Sequence, residues 1–159
     1  GSYLIEIIDQ LTAEAQPVRE LYALLAEGLD LLERGAAAAA FLRAFELRLL
    51  YHAGYDPDLR SCAQCRQSVL GAPQAFLDAT QGHLLCAACR VKGQTLFPLS
   101  GETLAGLEAL RTVSLAAAHH RRFTPMVAAE ASRLMTALLA QHLPRPLRSV
   151  KLIAALSRP

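Results

Sequence analysis

Much of what enzymes and membrane proteins carry in their sequences is missing from this chain of 159 residues. No apolar run approaches the roughly 20 residues needed to cross a bilayer, so no spanning helix and no membrane partner are expected. The nine glycines are scattered, and none precedes a Lys-Ser or Lys-Thr pair, which leaves no Gly-rich phosphate loop. No serine or cysteine stands in a recognisable nucleophile motif. Lysine is scarce, two residues against fourteen arginines. A secretory signal and an initiator methionine are both absent, and Gly1-Ser2 reads as a tag-cleavage scar. The expectation is therefore a piece of a longer protein. There is no convincing internal repeat, and the length suits one domain or a domain with a small insert. A composition 53% hydrophobic and 19% charged argues against disorder and supplies ample material for a core.

Cysteine is confined to two Cys-x-x-Cys pairs, Cys62/Cys65 and Cys86/Cys89. A two-residue gap lets two thiolates turn back onto one ion, and two such knuckles complete a tetrahedral sulfur cage for zinc. Ser61–Cys65 is polar and turn-like, while Leu84-Leu85-Cys86 reads as a strand end entering the second knuckle. Between the knuckles, Ala75–Leu77 and His83–Leu85 flank Gln81-Gly82, a hairpin signal. Four sulfurs close the coordination sphere and leave no position for a reactive water, so the expected metal is structural and supplies folding energy to a small ribbon. His83 is read as a hairpin residue rather than a ligand. A redox dithiol and a disulfide pair are the weaker alternatives.

Charge is uneven along the chain. Residues 1–60 carry ten acids and five Lys/Arg, whereas residues 61–159 carry four acids and eleven. The formal total is +2, and a zinc tetrathiolate adds about −2. The holo chain would sit near neutrality, so any anion binding must rest on a local patch.

Periodicity predicts a mainly α protein: a helical bundle with an inserted four-cysteine ribbon containing a small β-hairpin. The expected division is 3–60 for the first part of the bundle, 61–95 for the ribbon and 96–159 for the second part. Leu4, Ile7, Ile8 and Leu11 define a first helix. Pro17 opens a second, with Val18, Leu21, Tyr22, Leu25, Leu29 and Leu32 on one face and Gly35 at its end. A third presents Phe41, Phe45, Leu49 and His52, widened by Leu42 and Leu50, and stops at Gly54. Beyond the ribbon, Ser100 caps a helix carrying Leu104, Leu107, Leu110 and Val113. Thr124 caps another that starts at Pro125, presents Val127, Leu134, Met135 and Leu138, and stops at Pro144 and Pro146. The tail Leu147–Leu156 fits a short helix or an extended segment equally. Asp56 and Asp58 suit the turn around Pro57, His52 suits the edge of a helix, and His119-His120 is no metal pair because neighbouring helical side chains diverge by about 100°.

This order of features resembles the C-terminal part of RecO, the family of bacterial recombination mediators. The likeness runs from Tyr3 to about Lys151. It is carried by Arg43-Ala44-Phe45-Glu46-Leu47-Arg48-Leu49-Leu50, by Gly54-Tyr55-x-Pro57-x-Leu59 leading to Cys62, and by the closing Arg145-Pro146-Leu147-Arg148-Ser149. Two departures stand out. The family's N-terminal oligonucleotide-binding barrel is absent from the chain, and Val150 stands where a basic residue is expected, with Lys151 one position later. The resemblance implies a non-catalytic mediator of DNA repair, bacterial, cytoplasmic and nucleoid-associated. Such a protein binds single- and double-stranded DNA, promotes annealing, and acts with RecR to load RecA where single-strand-binding protein coats the strand. The helical part is implied to capture the acidic C-terminal tail of that protein.

Such a tail calls for an apolar groove edged by arginines. Arg111 and Arg133 are the candidate partner-peptide residues, beside Leu104, Leu107, Leu110 and Leu138. For DNA, residues 119–159 hold seven Lys/Arg and one acid, which makes Arg121, Arg122, Arg145, Arg148 and Lys151 the candidate phosphate contacts. No recognition helix or stacking aromatic cluster accompanies them in sequence, so sequence-specific readout is not expected. The competing readings are a zinc-ribbon adaptor that binds only protein and an enzyme fragment separated from its catalytic domain.

Overall fold

The molecule is described by a computed structural model over residues 1–12, 19–36, 38–91 and 93–148. Six α-helices are present among these residues: α1 (Ser2–Thr12), α2 (Arg19–Glu33), α3 (Ala39–His52), α4 (Gly101–Leu110), α5 (Leu115–His119) and α6 (Pro125–Ala140). Three strands, β1 (Gln74–Asp78), β2 (His83–Leu85) and β3 (Leu96–Ser100), form an antiparallel sheet in the order β2-β1-β3. The chain is thus mainly helical with a small inserted β element, as its patterning implies. The expected helix start at Pro17-Val18, and the tail beyond Arg148, lie outside the described residues.

The bundle is organised around α3. Its residues Ala40, Phe41, Ala44, Phe45, Leu47, Leu49 and Leu50 are all buried, because α2, α4, α5 and α6 each pack against it. A helix enclosed on so many sides also buries polar side chains, and these must find partners. Glu46 accepts hydrogen bonds from the Tyr3 hydroxyl and, at 2.8 Å, from Arg43. Burial raises the Glu46 carboxyl above its ordinary value, and neither Arg43 nor Tyr3 fully offsets this.

Helix α2 meets the core on a face rotated from the one its leucines suggest. Leu21, Leu24 and Gly28 are buried, whereas Tyr22 is 59% exposed. Gly28 explains the rotation. A Cβ there would stand 2.8 Å from the Phe45 ring and 3.1 Å from Leu4, so the missing side chain is what lets three helices approach. A pattern scored on apolar side chains passes over such a contact.

The segment after the ribbon also differs in detail. Leu96–Ser100 forms an edge strand, with Phe76 opposite Pro98 and Leu77 opposite Phe97. Pro98 is tolerated because an edge strand has one unpaired side. Ser100 ends the strand and caps α4, accepting from the Thr103 N–H at 3.2 Å. The helix stops at Leu110, before Val113, and Ser114 caps the short α5 by accepting from Ala117. Thr124 caps α6 at the predicted place. Leu104, Leu107, Leu110 and Leu138 all belong to the core. No helix among the described residues is long and apolar enough to cross a membrane.

Candidate functional site

The two knuckles are built by backbone turns that the sequence specifies locally. Before the first, the Asp58 carboxylate accepts from the N–H groups of Arg60 and Ser61 at 2.9 and 3.1 Å, the role expected of it in this turn. Ser61 bridges to Ser68, Cys62 N–H bonds to Gln67 O at 2.8 Å, and Arg66 N–H bonds back to Cys62 O at 2.9 Å. The second knuckle is a 3₁₀ turn over Ala87–Cys89, where Cys89 N–H reaches Cys86 O at 3.1 Å. The β1–β2 hairpin, with Phe76 opposite Leu85 and Asp78 opposite His83, delivers Cys86 to the first knuckle. His83 is a strand residue of that hairpin, not part of the cluster.

All four sulfurs lie within 4.8 Å of one another. Cys65 and Cys86 Sγ are 3.7 Å apart, against an edge of about 3.8 Å for a sulfur tetrahedron with 2.3 Å metal–sulfur bonds. Burial pushes the Cys62 thiol up, but backbone N–H groups of Cys65, Cys86 and Gln64 outweigh it and bring it down to about 6. Cys89 moves the other way, pushed up to about 12 chiefly by the neighbouring Cys65 thiol and then by burial. Four crowded sulfurs cannot all ionise without a cation, while N–H donors aimed at Cys62 favour a thiolate. The donor set, its spacing and its N–H environment therefore fit a tetrahedral metal such as zinc.

Several contacts hold this ribbon against the bundle. Arg60 Nε donates to Glu108 at 2.7 Å. Arg111 pairs with Asp56 and Glu108 and also donates to Pro57 O, so its guanidinium is engaged inside the fold. Glu130 of α6 accepts at 2.8 Å from both the N–H and the hydroxyl of Ser100, and also from the Thr103 hydroxyl. Burial acts to raise the Glu130 carboxyl, but these hydrogen bonds and nearby Arg133 outweigh it and lower it. Gln141 donates to the hairpin carbonyls of Ala79 and Thr80 at 3.3 and 3.2 Å.

The predicted phosphate contacts do not form one patch. Arg121 and Arg122 are exposed just before α6, without an ion-pair partner among the described residues. Arg145 and Arg148 follow the other end of that helix, whose 16 residues span about 24 Å. Arg145 borders an apolar cavity of about 350 Å³ between α1 and the turn after α6, walled by Tyr3, Leu139, Leu143 and Leu147. Arg148 donates its N–H to Glu6 at 2.7 Å. Lys151 lies outside the described residues. Arg133 stacks over Phe97 at 4.8 Å beside a shallow groove that shares Thr136 and Ala140 with the cavity at Arg145. One feature that the sequence did not suggest is a ring stack between Tyr55 and His142, with centroids 3.9 Å apart. Their separation along the chain hides it from any local pattern.

A helical bundle carrying a braced four-cysteine ribbon and arginines at both ends of its last helix defines a ribbon-bearing helical module. The chain belongs to the RecO family: the model described as "Recombination protein O C terminal" matches residues 1–151. The DNA repair protein RecO of Anaeromyxobacter sp. (strain K) is 40% identical over 147 residues, covering 92% of this chain and 58% of that protein. Those of Syntrophus aciditrophicus and Myxococcus xanthus are 30% and 33% identical, covering 99% and 96% of the chain. The chain spans about three fifths of the length of these relatives. No solved structure matches it.

Proposed function

We propose that this chain is the helical and zinc-ribbon part of a non-catalytic DNA-repair mediator. In this reading it contacts DNA through the phosphate backbone and holds the acidic tail of single-strand-binding protein. It acts with RecR to help load RecA and to anneal strands. Membership of the family supports the role. The observation that carries it is that Arg121, Arg122 and Arg145 are exposed and have no ion-pair partner among the described residues, unlike Arg111 or Arg43. Arg145 and Arg148 would make phosphate contacts at the far end of α6, and Lys151, outside the described residues, is a further candidate. One structural zinc, bound by Cys62, Cys65, Cys86 and Cys89, would stabilise the ribbon without taking part in chemistry.

For the peptide, support comes from an apolar cavity with an arginine on its rim, sharing the lining residues Thr136 and Ala140 with the groove beside Arg133. An apolar terminal residue would fill the cavity while its carboxylate meets a guanidinium. Arg111 would contribute indirectly, by fixing the ribbon against α4.

Fluorescence anisotropy with labelled oligonucleotides and with an acidic C-terminal peptide tests both parts. Binding to DNA should fade near physiological salt, since only a few phosphates are contacted. Peptide affinity should fall when its terminal aromatic residue or its carboxylate is removed. Peptide binding without DNA binding would favour a protein-only adaptor instead, and binding of neither would overturn the proposal.

A further inference from the structure

A solvent-facing pair of rings stands where the bundle meets the ribbon. Gly54 adopts φ +84°, and this left-handed turn lets the Tyr55 N–H bond back to Leu50 O at 2.8 Å as α3 ends. From the end of α6, His142 N–H bonds to Leu139 O at 2.9 Å. The two helix ends thereby lay the rings over each other, 3.9 Å between centroids and 13° from parallel. Stacked rings that only seal a core are buried, whereas Tyr55 is 44% exposed and His142 is exposed as well. Neither the Tyr55 hydroxyl nor the His142 ring nitrogens have a hydrogen-bond partner among the described residues. Partial desolvation lowers the His142 imidazole below its ordinary value, which favours a neutral ring.

The pair lines a cleft of about 450 Å³, with Asp56, Gln81 and Gly82 on other walls. That volume lies within the range of roughly 300–1,000 Å³ common for ligand pockets. The walls are held in place, because Gln141 is bonded to the hairpin carbonyls and Asp56 is paired with Arg111. The pairing also keeps Asp56 from presenting a lone negative charge to a phosphate.

We propose that Tyr55 and His142 form a stacking platform for a base of single-stranded DNA. This rests on the DNA-binding reading above and adds to it a contact that phosphates alone cannot make. Aromatic stacking tolerates any base, because each presents a flat π face.

Binding of an oligo-dT strand and of an abasic strand of equal length, compared by anisotropy, separates stacking from charge. The platform predicts that wild-type protein prefers the dT strand by on the order of 5- to 150-fold. Tyr55→Ala should abolish that preference while leaving abasic binding unchanged, and Tyr55→Phe should keep it. The chain has four tyrosines and no tryptophan. Quenching of wild-type tyrosine emission by dT but not by abasic DNA therefore gives a second readout should Tyr55→Ala fail to fold. Equal binding of both strands by wild-type protein would overturn the platform and leave phosphate contact standing. A preference that survives Tyr55→Ala would also overturn it. Binding of neither strand would overturn both readings.

Discussion

In the bundle, a nearly enclosed helix carries the structure, and α3 buries two phenylalanines, three leucines and even a carboxylate among its neighbours. The ribbon has a thinner interior, with Val69, Ala75, Leu77, Leu84 and Leu99 buried around short strands. It relies on features the bundle lacks: a four-sulfur cage and a row of polar contacts reaching across to α4 and α6. The difference shows how one small chain combines two sources of order. Apolar burial scales with the surface that long helices offer, while a ribbon of short strands needs cross-links.

The largest expected effect is on the cage. Cys86→Ser should reduce bound zinc from one per chain to none, measured by atomic absorption, because structural zinc sites contribute about 10–16 kcal/mol at neutral pH. Helical circular dichroism should be largely retained. Full zinc content in the variant would break the comparison at its root.

Next comes the bundle's closest approach. Gly28→Ala introduces a Cβ 2.8 Å from Phe45. Overpacking costs about 1–3 kcal/mol, against a gain of up to about 1 kcal/mol in helix propensity. A net loss of about 1–2 kcal/mol should appear in urea unfolding with zinc content unchanged.

Two buried or half-buried carboxylates sharpen the contrast through pH. Glu46 is raised in the folded bundle. Its stabilising contribution is present below the ordinary carboxyl value of 4.5 and is lost as pH rises through the raised one. Glu130, at the seam with the ribbon, is lowered. Its contribution is present above 4.5 and is lost as pH falls through the lowered value. Stability differences between wild type and Glu46→Gln, and between wild type and Glu130→Gln, should therefore slope in opposite directions with pH. Parallel slopes would contradict the assigned environments.

The smallest effect concerns the surface. Converting Arg121 and Arg122 to glutamate should leave folding intact and weaken binding to all oligonucleotides alike. It should also flatten the salt slope by roughly 0.7–0.9 for each phosphate no longer neutralised. An unchanged slope would assign these arginines to solvent.

How much of this was legible in sequence depended on how local each signal was. The cage, the hairpin and the Ser100 and Thr124 caps are written within a few residues each, and they appear in the structure where spacing puts them. The edge strand Leu96–Ser100 escaped because Pro98 argues against a strand when its partner is unknown. The rotated face of α2 escaped because its key contact is a missing side chain. The engagement of Arg111 and the Tyr55–His142 stack escaped because each joins distant parts of the chain. Arginines close in sequence count proved to be separated by the whole of α6. Charge can be summed along a chain, but a surface cannot.

Hydrogen exchange before and after removal of metal by a chelator tests the division of labour most directly. The predicted result is loss of amide protection across 61–100 with protection of α3 retained, since packing and polar contacts within the bundle, not the metal, hold that helix. Uniform loss throughout the chain, or no loss in the ribbon, would contradict the account.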